Sequence, residues 1–123
     1  MPKFGQIKLG SKRKGGIREL PGFTSISVDR ENPVLGNKYV LWDHRDDDER
    51  AEVIWKYKED YDADWAQNGP MKEATLKIAR RVYKGENIML LCWCSGPPIY
   101  KPCHAELIKE RIEGILAPYM DKQ

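Results

Sequence analysis

Residues 91–104 read Leu-Cys-Trp-Cys-Ser-Gly-Pro-Pro-Ile-Tyr-Lys-Pro-Cys-His and hold all three cysteines and one of the two histidines of the chain. Thiols and imidazoles bind soft metals, act as nucleophiles and carry protons. On an extended strand, Cys92 and Cys94 would share one face and Trp93 would take the other. After a loop of eight residues, Cys103 and His104 stand where a helix opens. Three chemistries are open to this stretch. Cys92, Cys94, Cys103 and His104 could converge on zinc, but structural zinc sites space their paired ligands two to four residues apart, and adjacent ligands on a helix point in different directions. The unpaired N–H groups of the helix start could instead bind a phosphate or carboxylate. The same field lowers a thiol pKa, making Cys103 a candidate nucleophile and His104 its acid–base partner. Ser95-Gly96 would let the backbone approach a ligand closely, with Cys94 at the rim. The third reading is packing alone, and for Cys92 it is the leading one, because free cysteines are among the most buried residues.

The elements that must position these groups follow from periodicity. Thr24-Ser25-Ile26-Ser27-Val28 alternates and is rich in β-branched residues, which predicts a first strand. Asn-Pro and Gly-Asn between Asp29 and Asn37 signal turns. Lys38–Trp42 suits a short second strand or an extended loop. Asp46-Asp47-Asp48-Glu49 places acid at a helix start, and Val53, Ile54, Tyr57, Tyr61 and Trp65 make one apolar stripe on a helix from about 47 to 65. Asn68-Gly69-Pro70 ends it. A second helix is predicted over 71–84, with Leu76, Ala79, Val82 and Tyr83 inward and Gly85 beyond its end. Asn87–Cys94 is nearly continuous in apolar residues, which suits a strand buried on both faces of a parallel sheet. A last helix is predicted from about Cys103 to Leu116, with Pro118 beyond its end.

The chain has 123 residues, 41% hydrophobic and 33% charged, with a net charge of +2. That length fits one domain, and the net charge argues against nucleic-acid binding by bulk charge alone. The charge is uneven. Residues 1–20 carry Lys3, Lys8, Lys12, Arg13, Lys14 and Arg18 against Glu19. They read as a flexible basic arm, either solvated or contacting nucleic acid or a host protein through residues 1–16. No run approaches the ~18 apolar residues of a membrane span, and no signal-peptide core is visible. The expectation is a cytoplasmic protein with reduced thiols.

The paired motifs resemble the signature of a phage- and bacterium-associated family of small domains of unknown function. Its members show Cys-Trp-Cys-x-Pro and Cys-His at a strand-to-helix junction, here Cys92-Trp93-Cys94-Ser95-Gly96-Pro97 and Cys103-His104-Ala105. Upstream, Val28-Asp29-Arg30, Pro33, Gly36-Asn37 and the run from Asp48-Glu49-Arg50 through Ile54 to Tyr57 are also similar, so the likeness covers roughly residues 26–116. Two features depart from the pattern: Lys38-Tyr39 replaces Pro-Phe, and Ile99-Tyr100-Lys101 lengthens the loop. The resemblance implies a compact Rossmann-like domain of the kind that handles nucleotides, and it nominates Arg30 and Asn37. Arg30 could hold a phosphate in bidentate fashion, or pair with the acidic run 46–49. Asn37 could bond a base or sugar, or serve as a left-handed turn residue.

Together these readings predict an α/β fold, a small single-domain Rossmann-like sheet flanked by helices over 21–123, with a flexible basic arm over 1–20. The expected function is binding of a nucleotide, nucleoside or related phosphate ligand, with action on its glycosidic or phosphate bond left open. Cys103 and His104 are the candidate catalytic pair, Arg30, Asn37, Cys94, Ser95 and Gly96 the candidate ligand contacts, and Glu52 a more distant acid–base candidate. No metal or cofactor is assigned. A non-enzymatic module aimed at a host protein or nucleic acid, and a zinc-stabilised structural domain, are the alternatives.

Overall fold

The computed structural model of the chain describes residues 4–12, 19–29, 32–36, 47–92 and 104–120. The elements run β1 (Ile7–Ser11), β2 (Phe23–Ser27), α1 (Asp47–Ala66), α2 (Pro70–Tyr83), β3 (Asn87–Cys92) and α3 (His104–Met120). The strands form one sheet in the order β1-β3-β2, and both pairings are parallel. This is a small α/β fold, as the sequence predicts.

The central place falls to β3 because every residue from Ile88 to Cys92 is buried. A strand covered on both faces carries apolar side chains on both. Ile88, Leu90 and Cys92 point one way and join a cluster with Tyr57 and Tyr61 of α1, Ile78, Ala79 and Val82 of α2, and Ala105, Ile108, Ile112 and Leu116 of α3. Helices α2 and α3 therefore pack on that face, and α1 joins the cluster against them. Met89 and Leu91 point to the other. There Lys8, in register with Met89, sends its ammonium to 5.3 Å from the centre of the Phe23 ring, so its stem crosses the middle of β3.

The expectation of a flexible arm over residues 1–20 gives way at β1. Ile7 and Leu9 alternate with Lys8 and pack against the core cluster, while five successive residues pair with β3. Gly5 anchors the entry. Its N–H donates to the Val82 carbonyl (2.8 Å), and a Cβ there would stand 1.9 Å from the Glu86 carbonyl oxygen. Lys38–Trp42, for which a second strand is one expectation, lies outside the described residues.

The helices also depart from expectation in places. Tyr83 is 43% exposed, and Thr75 and Ile78 take the inward face of α2 with Ala79 and Val82. Thr75 is fully buried because its hydroxyl bonds both the Met71 carbonyl (2.8 Å) and the Tyr61 hydroxyl (2.5 Å). No side chain of its own caps α2, since Gly69 is the N-cap and Pro70 follows. Asp64 of α1 does so instead, accepting from the N–H groups of Met71 (3.2 Å) and Lys72 (2.8 Å). The third helix continues past Pro118, which sits in its last turn and forgoes one N–H bond to the preceding turn. Tyr119 beyond it packs edge-on against Tyr83, 5.6 Å between centres.

Candidate functional site

Parallel strands all end on one side, and in open α/β sheets that carboxyl edge is where ligands bind. Among the described residues, three charged or titratable side chains are buried around this edge, Lys12 at 8% exposure, Asp29 at 4% and His104 at 7%, and Arg50 of α1 is buried at 3%. Each position has a local cause. Lys12 follows β1 and its N–H donates to the Cys92 carbonyl (2.9 Å), which extends the ladder by one residue. Val28 does the same from β2, donating to the Leu91 carbonyl (2.9 Å), and Asp29 comes next. Arg50 lies two turns before Tyr57 on the same face of α1. His104 begins α3.

Lys12 and Asp29 join across the end of β3. Their Nζ–Oδ2 distance is 2.9 Å, with both side chains at 10% exposure or less. The strands they follow do not touch each other, since β3 lies between them. The ion pair therefore closes the carboxyl edge over the central strand. Burying both charges carries a large desolvation cost, so the pair adds less stability than its geometry suggests, but removing one partner is severe.

His104 fixes the helix to the sheet. Its Nε2 is hydrogen-bonded to the Val28 carbonyl, and its ring lies 4.9 Å from that of Tyr57. Burial pushes the imidazole pKa below its ordinary value, opposed by the Val28 carbonyl and by the Asp29 charge. The neutral ring, donating from Nε2 to a carbonyl, is therefore the resting form near neutral pH. Tyr57 in turn donates its hydroxyl to the Leu35 carbonyl (2.8 Å).

That last bond holds a turn built by Asn32. Its side chain donates to the Ser27 carbonyl (3.0 Å) and accepts from the N–H groups of Val34 and Leu35 (2.9 Å each). At Gly36 a Cβ would meet the Asp29 carbonyl oxygen at 2.3 Å, so only glycine fits. The segment after β2 is thus pressed against the strand end, as the Asn-Pro and Gly-Asn signals predict.

The sequence-predicted residues divide sharply. His104 is at the edge, and Cys92 is in the core cluster, as its packing reading expects. Arg30, Asn37, Cys94, Ser95, Gly96 and Cys103 lie outside the described residues. Glu52 is exposed on α1 and pairs with Lys56 (3.3 Å), away from the edge. Among the described residues no three His, Cys, Asp or Glu side chains gather as metal ligands. No helix of the described chain is long and apolar enough to cross a membrane.

The Lys12–Asp29 pair and the buried Arg50 are what sequence reasoning missed. The signals were present. A lysine and an aspartate each close an alternating apolar run, and Arg50 falls in the stripe of Tyr57 and Tyr61 at helical spacing.

A three-stranded parallel sheet with buried charge at its carboxyl edge defines a small α/β domain, set apart from helical or all-β modules. Residues 11–114 match the domain of unknown function family DUF4326, and the chain belongs to that family. No curated protein and no solved structure matches the chain.

Proposed function

We propose that the carboxyl edge binds a nucleotide, nucleoside or related phosphate ligand. The observation that carries this reading is the buried Lys12–Asp29 pair beside the first turn of α3. A lysine supplies a point charge for phosphate, an aspartate accepts from sugar hydroxyls, and a helix start offers N–H groups to an anion. His104 would hold the α3 start against β2, acting as a positioning residue for Cys103 rather than as the proton carrier. Arg30, Asn37, Cys94, Ser95 and Gly96 would complete the pocket. Action on a glycosidic or phosphate bond would then rest on Cys103. A phage association, the Cys-Trp-Cys and Cys-His pair as family signature, and a cytoplasmic setting that keeps the thiols reduced belong to the same reading.

The test is thermal stability against a panel of nucleotides, nucleosides, nucleotide sugars and inorganic phosphate. Saturation at about 100 times Kd raises stability by about 2.7 kcal/mol. A shift with one class, abolished in Arg30→Ala and Lys12→Gln proteins that still fold, supports the reading. No shift across the panel overturns it.

A further inference from the structure

Two surface features lie outside the proposed ligand site. The first is Trp55 on α1, which is 59% exposed. Its indole N–H already donates to Glu59 Oε1 (2.5 Å), and the Lys58 ammonium lies 5.8 Å from the ring centre. The ring can therefore be buried without stranding its polar atom. The helix around it is acidic, with eight acidic residues against three basic ones.

The second is a groove of about 260 Å³ between α2 and α3. Leu76, Ala79 and Leu116 floor it, and Arg80, Tyr83 and Tyr119 rim it. Lys84 follows Arg80 one turn later, and α2 carries four basic residues against one acidic. Arg81 pairs with Glu86, but Arg80 and Lys84 meet no carboxylate among the described residues. A cavity of about 150 Å³ holds a benzene ring, so this groove has room for a bicyclic indole. Tryptophan, tyrosine and arginine are also the side chains that dominate interface energetics.

We infer that the groove receives Trp55 of a second copy of this chain, with Glu59 brought against Arg80 and Lys84. Its own Trp55 cannot fill it. Tyr57, two residues on, packs at the start of α3, whereas the groove lies around Leu116 and Tyr119, about 18 Å further along that helix. Knob and groove are different surfaces, so each copy uses each surface once, whether in a closed two-fold pair or in an open chain. So small a contact gives weak, transient association, and its charge pairing makes it salt-sensitive. None of this depends on the ligand pocket at the sheet edge.

Sedimentation velocity of the full chain, over a concentration series at low and high salt, tests the inference. The expected result is concentration-dependent association that weakens with salt and is lost in Trp55→Ala and in Arg80→Glu, each with an unchanged melting temperature. Glu59→Lys gives the same loss and serves if Trp55→Ala folds poorly. Mixing Trp55→Ala with Arg80→Glu should restore one-to-one dimers and nothing larger, because one retains the groove and the other the knob. A wild-type chain that stays monomeric throughout overturns the inference. So does a mixture that stays monomeric, or association that survives Trp55→Ala.

Discussion

The corner between α1 and α2 and the carboxyl edge of the sheet are both held by polar contacts, but over very different distances along the chain. At the corner, Asp64 reaches Met71 and Lys72, and Tyr61 reaches Thr75, separations of 7, 8 and 14 residues. At the edge, Tyr57 reaches back 22 residues to Leu35 and His104 reaches back 76 to Val28. The corner is a local device that caps one helix. The edge ties the ends of β1 and β2, the middle of α1 and the start of α3 together through buried polar contacts, so damage there should spread through the fold.

The largest expected effect tests the edge. Asp29→Ala leaves the Lys12 ammonium buried without its carboxylate and should destabilise the chain by about 3–5 kcal/mol in urea unfolding. A double replacement, Lys12→Met with Asp29→Leu, should recover most of that loss. If the double is as unstable as the single, the pair is not the unit described. Next comes Tyr57→Phe, which strands the Leu35 carbonyl and should cost about 1–3 kcal/mol by the same measurement.

The pH dependence concerns the same edge. Burial holds the folded His104 pKa below its ordinary value of 6.5, so the unfolded chain takes up a proton first as pH falls. The stability contributed by neutral His104 is whole above that ordinary value and drains away below it, at no more than about 1.4 kcal/mol per pH unit for one proton. Melting temperatures between pH 7.5 and about 5, above the carboxylate range, should fall in the wild type and fall less in His104→Gln. Equal slopes would place the titration elsewhere.

The corner should show smaller numbers. Asp64→Ala removes the cap of α2 and should cost about 1 kcal/mol. Gly114→Ala should stabilise by about 0.5–1 kcal/mol, since Gly114 lies within α3 and a Cβ there meets nothing. An Asp64 effect as large as that of Asp29 would erase the contrast between the two regions.

The same contrast explains what could be read from the sequence. Helices α1 and α2, the buried strand β3 and the turn after β2 were legible because each rests on local periodicity or on a residue type a turn demands. The start of α3 was legible too, since Cys103-His104 marks a strand-to-helix junction. β1 was hidden by its basic neighbours and glycines, because pairing with β3 outweighs its weak propensity. Pro118 misplaced a boundary, since α3 runs on to Met120 even though the proline forgoes one N–H bond in the last turn. Lys12 and Asp29 were each visible at a strand end, but nothing local says that they meet. Their pairing exists only once β3 has been inserted between the two strands.

That insertion has a consequence for how the chain comes to be folded. The central strand is the last of the three in the sequence, and Ile7 must find Ile88 before β1 has a partner. A ribosome that has released β1 and β2 has released two strand edges with nothing between them, and the sheet can close only after Cys92 has emerged. High contact order of this kind slows folding and leaves apolar edges open in the meantime. The N-terminal half of this protein should therefore be a poor folding unit by itself, and truncation before β3 should yield an aggregation-prone fragment rather than a smaller domain.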